Sequence, residues 1–288
     1  MSPSNDFSIF DDIYCISLKR NYERRKYICS LFSSLEISFK FVDACDYDSP
    51  RVTALIESGF VEQYPPCFRC GSLNCDCSNK SLFPPQVANW LSHMDAWQMV
   101  ADSSARLCMI CEDDIKFLDT HQLSLQMIAS SGEIKAAIQS KKPLLLRLGW
   151  ALSLDHQYTG APFLSQEIRM SNPCYAVSPN MAALLLSNLK KIDRTSDMYI
   201  HRDVDKSVAH FTVHPPLAHD LSWSTGSFRS DIRPKEKYLQ NLREQLEQSM
   251  PGTVAYNKIV DLIRAEEARM RSFEYFNRDP EHNSWNSE

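Results

Sequence analysis

Leu107-Cys-Met-Ile-Cys-Glu-Asp-Asp-Ile-Lys-Phe117 is the stretch on which the fold turns. Five residues of apolar character, Leu107 to Cys111, run without a break into three carboxylates, Glu112, Asp113 and Asp114. An apolar run of that length fits a strand buried on both faces, as in a parallel sheet. Carboxylates cannot stay ionised inside such a sheet. The strand is therefore expected to end near Glu112 and deliver them to its C-terminal edge, which is where open α/β sheets hold their ligands. Three adjacent like charges repel, and a nearby cation relieves them. Oxygen ligands on a short acidic turn suit Mg²⁺ or Mn²⁺, ions that usually bring a substrate phosphate with them. An acidic surface turn that binds nothing is the alternative.

The segments before this stretch read as a βαβ unit. Asp12–Leu18 is strand-like, rich in β-branched and aromatic residues. Tyr22 to about Leu35 carries Tyr27, Ile28, Leu31, Phe32 and Leu35 at helical spacing. Ile37–Val42 is a second strand ending at Asp43. Strand, helix and strand within about 30 residues imply a parallel pair. Arg20, Arg24, Arg25 and Lys26 stand at the first strand–helix junction. They suit a phosphate there, or form a solvated helix face. Asp43 is placed to accept hydrogen bonds from a base or ribose.

Further along, residues 45–85 read as irregular. Gln86–Val100 reads as an amphipathic helix with Val87, Trp90, Leu91, Met94 and Trp97 as its stripe. Ser92 and His93 are unusual polar residues on it; a histidine satisfied within the core is one reading. Residues 118–139 read as helical, Leu144–Leu148 as a buried strand, and 152–170 as a loop able to cover a site. Asn172–Ser178 is a further strand, leading into a helix at 180–190. A loop enters a helix around Arg194–Asp203, and Phe211–Val213 is a short strand. Two charged helices, 234–248 and 253–275, broken at Pro251-Gly252, look like a packing appendage or partner face. The expected class is α/β: a mostly parallel central sheet flanked by helices over residues 1–233, with a Cys-rich insert at about 60–82 and a helical extension over 234–288.

The insert holds Cys67, Cys70, Cys75 and Cys77, spaced C-x2-C-x4-C-x-C. Four thiols so close, with Gly71 and Asn74 to let the chain turn, can close a tetrahedral structural zinc site. Metal would then supply the folding energy of a loop with no core of its own. Two disulfides or free thiols are the alternatives. Cys15, Cys29, Cys45, Cys108, Cys111 and Cys174 read as small buried hydrophobes.

With 288 residues and 43% hydrophobic content, the chain can bury a large core. Its net charge of −5 and the lack of a basic stripe interleaved with aromatics argue against nucleic acid as a partner. No basic leader, no apolar leader and no apolar run of about 20 residues occurs. The expectation is a cytoplasmic protein with no transmembrane segment.

Taken in order, the motifs resemble the family 25 glycosyltransferases, which include lipooligosaccharide and procollagen galactosyltransferases. The matching pieces are Ile13-Tyr-Cys-Ile-Ser-Leu-Lys-Arg20 with Glu23-Arg-Arg25, Phe41-Val-Asp43-Ala, and Leu91-Ser-His93 with Trp97. They continue with Cys111-Glu-Asp-Asp114, Cys174-Tyr-Ala-Val-Ser178, Ser196-Asp197-Met-Tyr-Ile200, and His214-Pro-Pro216 running on to Ser230-Asp231. Together they cover roughly residues 12–231; the Cys insert and the C-terminal helices lie outside the pattern. Where the family often has Gly-Glu before its Leu-Ser-His helix, this chain has Pro85-Gln86.

The resemblance implies a GT-A fold and a nucleotide-sugar donor, UDP-linked, used with Mn²⁺ or Mg²⁺. Glu112-Asp113-Asp114 stands where the family has its DxD-type motif. Asp114 is the first choice for the metal, with Glu112 supporting it or gripping the ribose; His219 is either a third ligand or a structural histidine. Donor contacts fall on Ser17, Leu18, Arg20, Arg24, Asp43, Ser92, His93, Glu112 and Asp113. The family acts with inversion, which requires a base for the acceptor hydroxyl. Asp197 matches a family aspartate, with Asp220 and Asp231 in reserve. The acceptor is a glycan or a protein hydroxyl. The C-terminal helices offer a surface for homo-oligomers. A nucleotidyltransferase or sugar-nucleotide hydrolase, and a non-catalytic glycan- or protein-binding module, are the competing readings.

Overall fold

The computed structural model describes residues 6–62, 82–150, 160–169, 171–202, 208–222, 228, 242–257 and 259–264. The chain divides into two compact units, Met1–Ser224 and Thr225–Glu288. The first begins with β1 (Asp12–Ser17), α1 (Tyr22–Ser34), β2 (Lys40–Asp43), α2 (Pro50–Glu57) and α3 (Pro84–Ala101). It continues with β3 (Cys108–Glu112), β4 (Ile115–Phe117), α4 (His121–Ser130), α5 (Gly132–Gln139) and β5 (Leu144–Arg147). Then follow β6 (Phe163–Ser165), β7 (Cys174–Val177), α6 (Pro179–Asn188), α7 (Ser196–Arg202), β8 (Ala209–His214) and β9 (Ala218–Asp220).

Seven strands form one sheet in the order β2-β1-β3-β7-β5-β8-β6. Strand β1 lies parallel between β2 and β3, and β5 is parallel to β8, whereas β7 and β6 run antiparallel to their neighbours. Five strands thus share one direction, as in a mostly parallel α/β sheet. Their C-terminal ends gather at one edge. A separate ribbon pairs β4 with β9 just beyond the end of β3.

Side chains alternate across the sheet because successive strand residues point to opposite faces. Ile13, Cys15, Met109, Cys111, Leu144, Leu146 and Ala176 enter one core with α1, α4 and α5. Tyr14, Ile16, Cys108, Ile110, Leu145, Tyr175 and Val177 enter the other with α2, α3, α6 and α7. Both faces are therefore dry, which explains the unbroken apolar run of β3. Cutting a fully buried side chain such as Ile110 to alanine costs about 2–5 kcal/mol at a site of this kind.

The structure amends several expectations. Residues 45–85 are not wholly irregular, since α2 lies within them. Ser49 caps it by accepting the Arg51 amide and Pro50 occupies its first turn, so a proline read as a loop signal is a helix start. Residues 118–139 form two helices, because Ser131 takes an extended backbone and its hydroxyl accepts the Ile134 amide to start α5. The expected loop at 152–170 contains edge strand β6. The fully buried β5 includes Arg147, whose guanidinium donates to His201 Nδ1 (3.1 Å) and His201 O (3.0 Å) and meets His210 Nδ1 (3.2 Å). Among the six cysteines read as buried, Cys29 is exposed and Cys45 only partly buried. Cys67, Cys70, Cys75 and Cys77 lie outside the described residues.

In the second unit, residues 242–247, 254–257 and 259–264 are helical, with Gly252 at φ +81° in the intervening turn. Leu242, Leu246, Ile259 and Ile263 pack together there. Among the described residues no helix is long and apolar enough to cross a membrane.

Gly149 follows β5 and bridges to Ala218 of β9. A Cβ there would lie 2.7 Å from the Ala218 carbonyl oxygen and 3.0 Å from Cys174 Cβ. Both are poorly yielding neighbours. Gly149→Ala is expected to cost about 1–3 kcal/mol by overpacking, read as a lower melting temperature in thermal unfolding; an unchanged value would show that the strand ends separate freely.

Candidate active site

The site is built where β1, β2 and β3 end side by side. Ile16 of β1 is in register with Glu112, the last residue of β3, and Ser17 with Asp43, the last of β2. Ser17 Oγ donates to Asp113 Oδ2 (2.7 Å), and Arg24 Nη1, from the first turns of α1, donates to Asp113 Oδ1 (2.7 Å). Arg24 Nη2 also donates to Ser222 Oγ (3.2 Å), and Ser222 in turn donates to Asp114 Oδ2. The Leu221 amide donates to the Asp114 carbonyl (2.6 Å). The residues just after β9 thus close over the acidic tip.

The three carboxylates have different surroundings. Asp113 is buried; desolvation pushes its carboxyl above the usual range, and the Arg24 guanidinium pulls it back. Asp114 is also buried. Desolvation first, then the charge of Glu112, raises its carboxyl to about 7. Its Oδ1 has no hydrogen-bond partner among the described residues. Glu112 is partly open, with about a quarter of its side chain exposed. Its Oε1 accepts from Asn89 Nδ2 (3.3 Å) and lies 3.4 Å from His93 Nε2, which makes no hydrogen bond.

Helix α3 supplies one wall. The Gln86 side chain accepts the Phe83 amide (2.9 Å) and fixes the first turn. This is the position where the motif comparison noted a departure from glutamate, and a glutamine performs the capping. His93 is fully buried, and its Nδ1 meets the Tyr175 hydroxyl (2.9 Å), which also accepts from Trp97 Nε1 (2.9 Å). Ser92 turns elsewhere: it donates to the Ala88 carbonyl (2.7 Å) and accepts the Cys45 amide (2.9 Å), tying the segment after β2 to α3.

The other expected residues are distributed around this tip. The Leu18 carbonyl accepts from Arg25 Nε (3.2 Å). Asp43 is half exposed and held by Arg25 (2.8 Å) and Lys19 (3.0 Å), which keep its carboxyl below the usual range. Arg20 pairs with Asp46. Asp197 opens α7 and accepts the Ser171 amide on Oδ2 (3.3 Å), where Ser171 takes φ +86°, a conformation rare for a side chain that is not glycine. Asp220 is buried on β9, across from Ile115; His219 lies across from Lys116 and so on the other face of that ribbon. His219 Nδ1 contacts the Asp220 carbonyl (3.1 Å), and burial lowers its pKa. Asp231 lies outside the described residues.

Among the described residues no three His, Cys, Asp or Glu side chains form a ready cage for a metal. The carboxylates still fit a hard divalent ion: Asp114 Oδ1 is a buried oxygen lacking a partner, and Glu112 stands open beside it. Mg²⁺-like ions commonly take one or two carboxylates and complete their shell with water and substrate phosphates. A cavity of about 320 Å³ lies at the other edge of the sheet, lined in part by Phe7, Phe10, Phe39, Asp12 and Lys40. There Asp12 is occupied by Lys40, so it offers less convergent chemistry than the acidic tip.

Asn89, Asn172, Tyr175, Ser196 and Ser222 were given no site role from the sequence, although Tyr175 and Ser196 fall within the quoted motifs. Asn89 had a signal, since it lies four residues before His93 and hence on the same helix face. Ser222 had none, because its role depends on the β4–β9 pairing of two three-residue strands.

The proton on Asp114 gives a testable pH dependence. In the unfolded chain its carboxyl ionises near 4; in the fold it keeps its proton to about 7. Folding takes up a proton between these values, so the stabilisation contributed by this carboxyl is greatest below about 4 and is lost as pH rises through about 7. In EDTA, Asp114→Asn should lose less stability than the parent between pH 5 and pH 8 in denaturant unfolding. Equal losses would mean that Asp114 is ionised throughout.

A family model described as Glycosyltransferase family 25 (LPS biosynthesis protein) matches residues 10–200. Procollagen galactosyltransferase 2 of Mus musculus is 27% identical over 128 residues, 44% of this chain and 19% of that protein. The probable inactive glycosyltransferase 25 family member 3 of Rattus norvegicus is 29% identical over 119 residues, 41% and 20% of the two chains. Procollagen galactosyltransferase 1-B of Xenopus laevis is 24% identical over 125 residues, 43% and 19%. The matches span about a fifth of the length of these relatives.

Proposed function

The chain belongs to glycosyltransferase family 25, and from that membership and its acidic site we propose that it transfers a sugar, galactose or a similar hexose or pentose, from a UDP-linked donor to a hydroxyl of a glycan or protein. The observation that carries this reading is the buried, unpartnered Oδ1 of Asp114 at the end of β3, beside an open Glu112 and the Arg24–Asp113 pair.

Each residue then has a task. Asp114 and Glu112 hold a divalent ion, Mn²⁺ or Mg²⁺, which when bound neutralises charge on the departing diphosphate. Arg24 and Ser17 hold Asp113 and keep the tip in shape. Arg20 and Asp43 flank the donor side. Asp197 takes the proton of the acceptor hydroxyl while that oxygen bonds to the anomeric carbon; the bond from that carbon to the diphosphate oxygen breaks, and configuration inverts. Asp220 is buried on β9 and stands as a reserve base.

Two considerations favour a second reading, a non-catalytic module with a degenerate site. Four similar proteins are named inactive or probably inactive, and Arg24 already occupies Asp113. The two separate in a thermal-shift experiment, because a ligand bound only by the native state raises its melting temperature. UDP with Mn²⁺ is expected to raise it by several degrees, and neither alone to match that shift. Asp114→Asn should abolish most of the effect. No shift for the parent protein, together with no donor turnover, would favour the binding module.

A further inference from the structure

One chain of hydrogen bonds reaches Glu112, and a second ends at His93 Nε2, which lies 3.4 Å from it without a hydrogen bond. An ionised carboxylate only accepts. Asn89 must therefore turn its Nδ2 to Glu112 Oε1 (3.3 Å), leaving its Oδ1 for Ser196. Ser196 Oγ donates to that oxygen (2.8 Å) and, its one proton spent, accepts from Asn172 Nδ2 (3.3 Å). Ser196 and Asn172 are both buried. The second chain starts at Trp97, whose indole only donates. Its Nε1 donates to the Tyr175 hydroxyl, which also meets His93 Nδ1 (2.9 Å). The other ring nitrogen, Nε2, lies 3.4 Å from the same Glu112 oxygen. Asn89 bonds Oε1, and no described residue bonds Oε2.

We infer that Asn89 and Ser196 are positioning residues for Glu112: they hold its Oε1 toward α3 and so leave Oε2 as the oxygen that would serve a metal or donor. The inference rests on the reading of Glu112 given above. It also accounts for why the loop at 171–173 and the start of α7, which carries Asp197, are joined to the end of β3. Ser196 sets the orientation of the Asn89 amide. Without its proton nothing holds Asn89 Oδ1 inward, and the amide can invert and set an oxygen against Glu112.

The test compares Ser196→Ala, which removes the proton, with Ser196→Thr, which keeps it. Glu112→Gln runs alongside, and Asn89→Ala is the second route if Ser196→Ala does not fold. Binding of Mn²⁺ in the presence of UDP is read from the free-ion electron paramagnetic resonance signal, and the melting temperature without ligand is recorded for each protein. Ser196→Ala and Asn89→Ala should each weaken Mn²⁺–UDP binding about tenfold, the scale of a hydrogen bond to a charged group. Ser196→Thr should restore it, and ligand-free melting should change little. If Glu112→Gln weakens binding but Ser196→Ala does not, the positioning role is overturned while the site stands. If Glu112→Gln itself binds as the parent does, the reading of the site fails. Equal loss in Ser196→Ala and Ser196→Thr, or failure of both Ser196→Ala and Asn89→Ala to fold, would assign the chain a structural role only and overturn the inference.

Discussion

An ion pair between Arg24 and Asp113, closed by the Ser17 hydroxyl, lets a dry β-strand end in three carboxylates. The middle carboxylate is buried and cannot remain charged there alone. Removing one partner of such a pair commonly costs about 3–5 kcal/mol, because the other charge stays behind without compensation. The pair also joins three elements: the start of α1, the end of β1 and the end of β3. Without it the acidic tip would have to open to water or shed its charge. With Asp113 neutralised, Glu112 and Asp114 are left to differ.

They do differ, and the cause is environment. Asp114 is enclosed and sits beside Glu112, so its proton is held to about 7. Glu112 is partly open and held on one oxygen only. A divalent ion held here, as proposed above, would compete with the proton of the enclosed group and find an oriented oxygen on the open one. Competition between ion and proton makes affinity rise with pH near neutrality. Adjacent carboxylates in one turn thus separate into a tether at Asp113, an enclosed proton-holding group at Asp114 and a partly open group at Glu112 held on one oxygen.

Much of this was legible in the sequence. The run Leu107–Cys111 gave a doubly buried strand, and the charge of Glu112 set its end, because burial energy and charge solvation both act on single residues. The βαβ unit followed from periodicity, and the junction arginines proved to include Arg24, the cation that the acidic tip needed. Asn89 shares the His93 face of α3, but its bond to Glu112 was not legible, nor was its bond from Ser196: an asparagine within one helix and a serine opening another look alike whether they face solvent or a polar partner. The ribbon of β4 and β9 was missed because three-residue strands carry no period. Arg147 was hidden inside an apolar strand because two histidines satisfy it from distant segments. These failures share a physical origin: pairings far apart in sequence leave no local mark.

The central claim is that the end of β3 holds a divalent ion against a diphosphate. The most direct measurement is anomalous scattering at the manganese edge from crystals grown with Mn²⁺ and UDP. A single strong peak within coordination distance of Asp114 and Glu112, with the diphosphate on its far side, is the expected result. A peak elsewhere, or UDP bound with no ion at this tip, would contradict it.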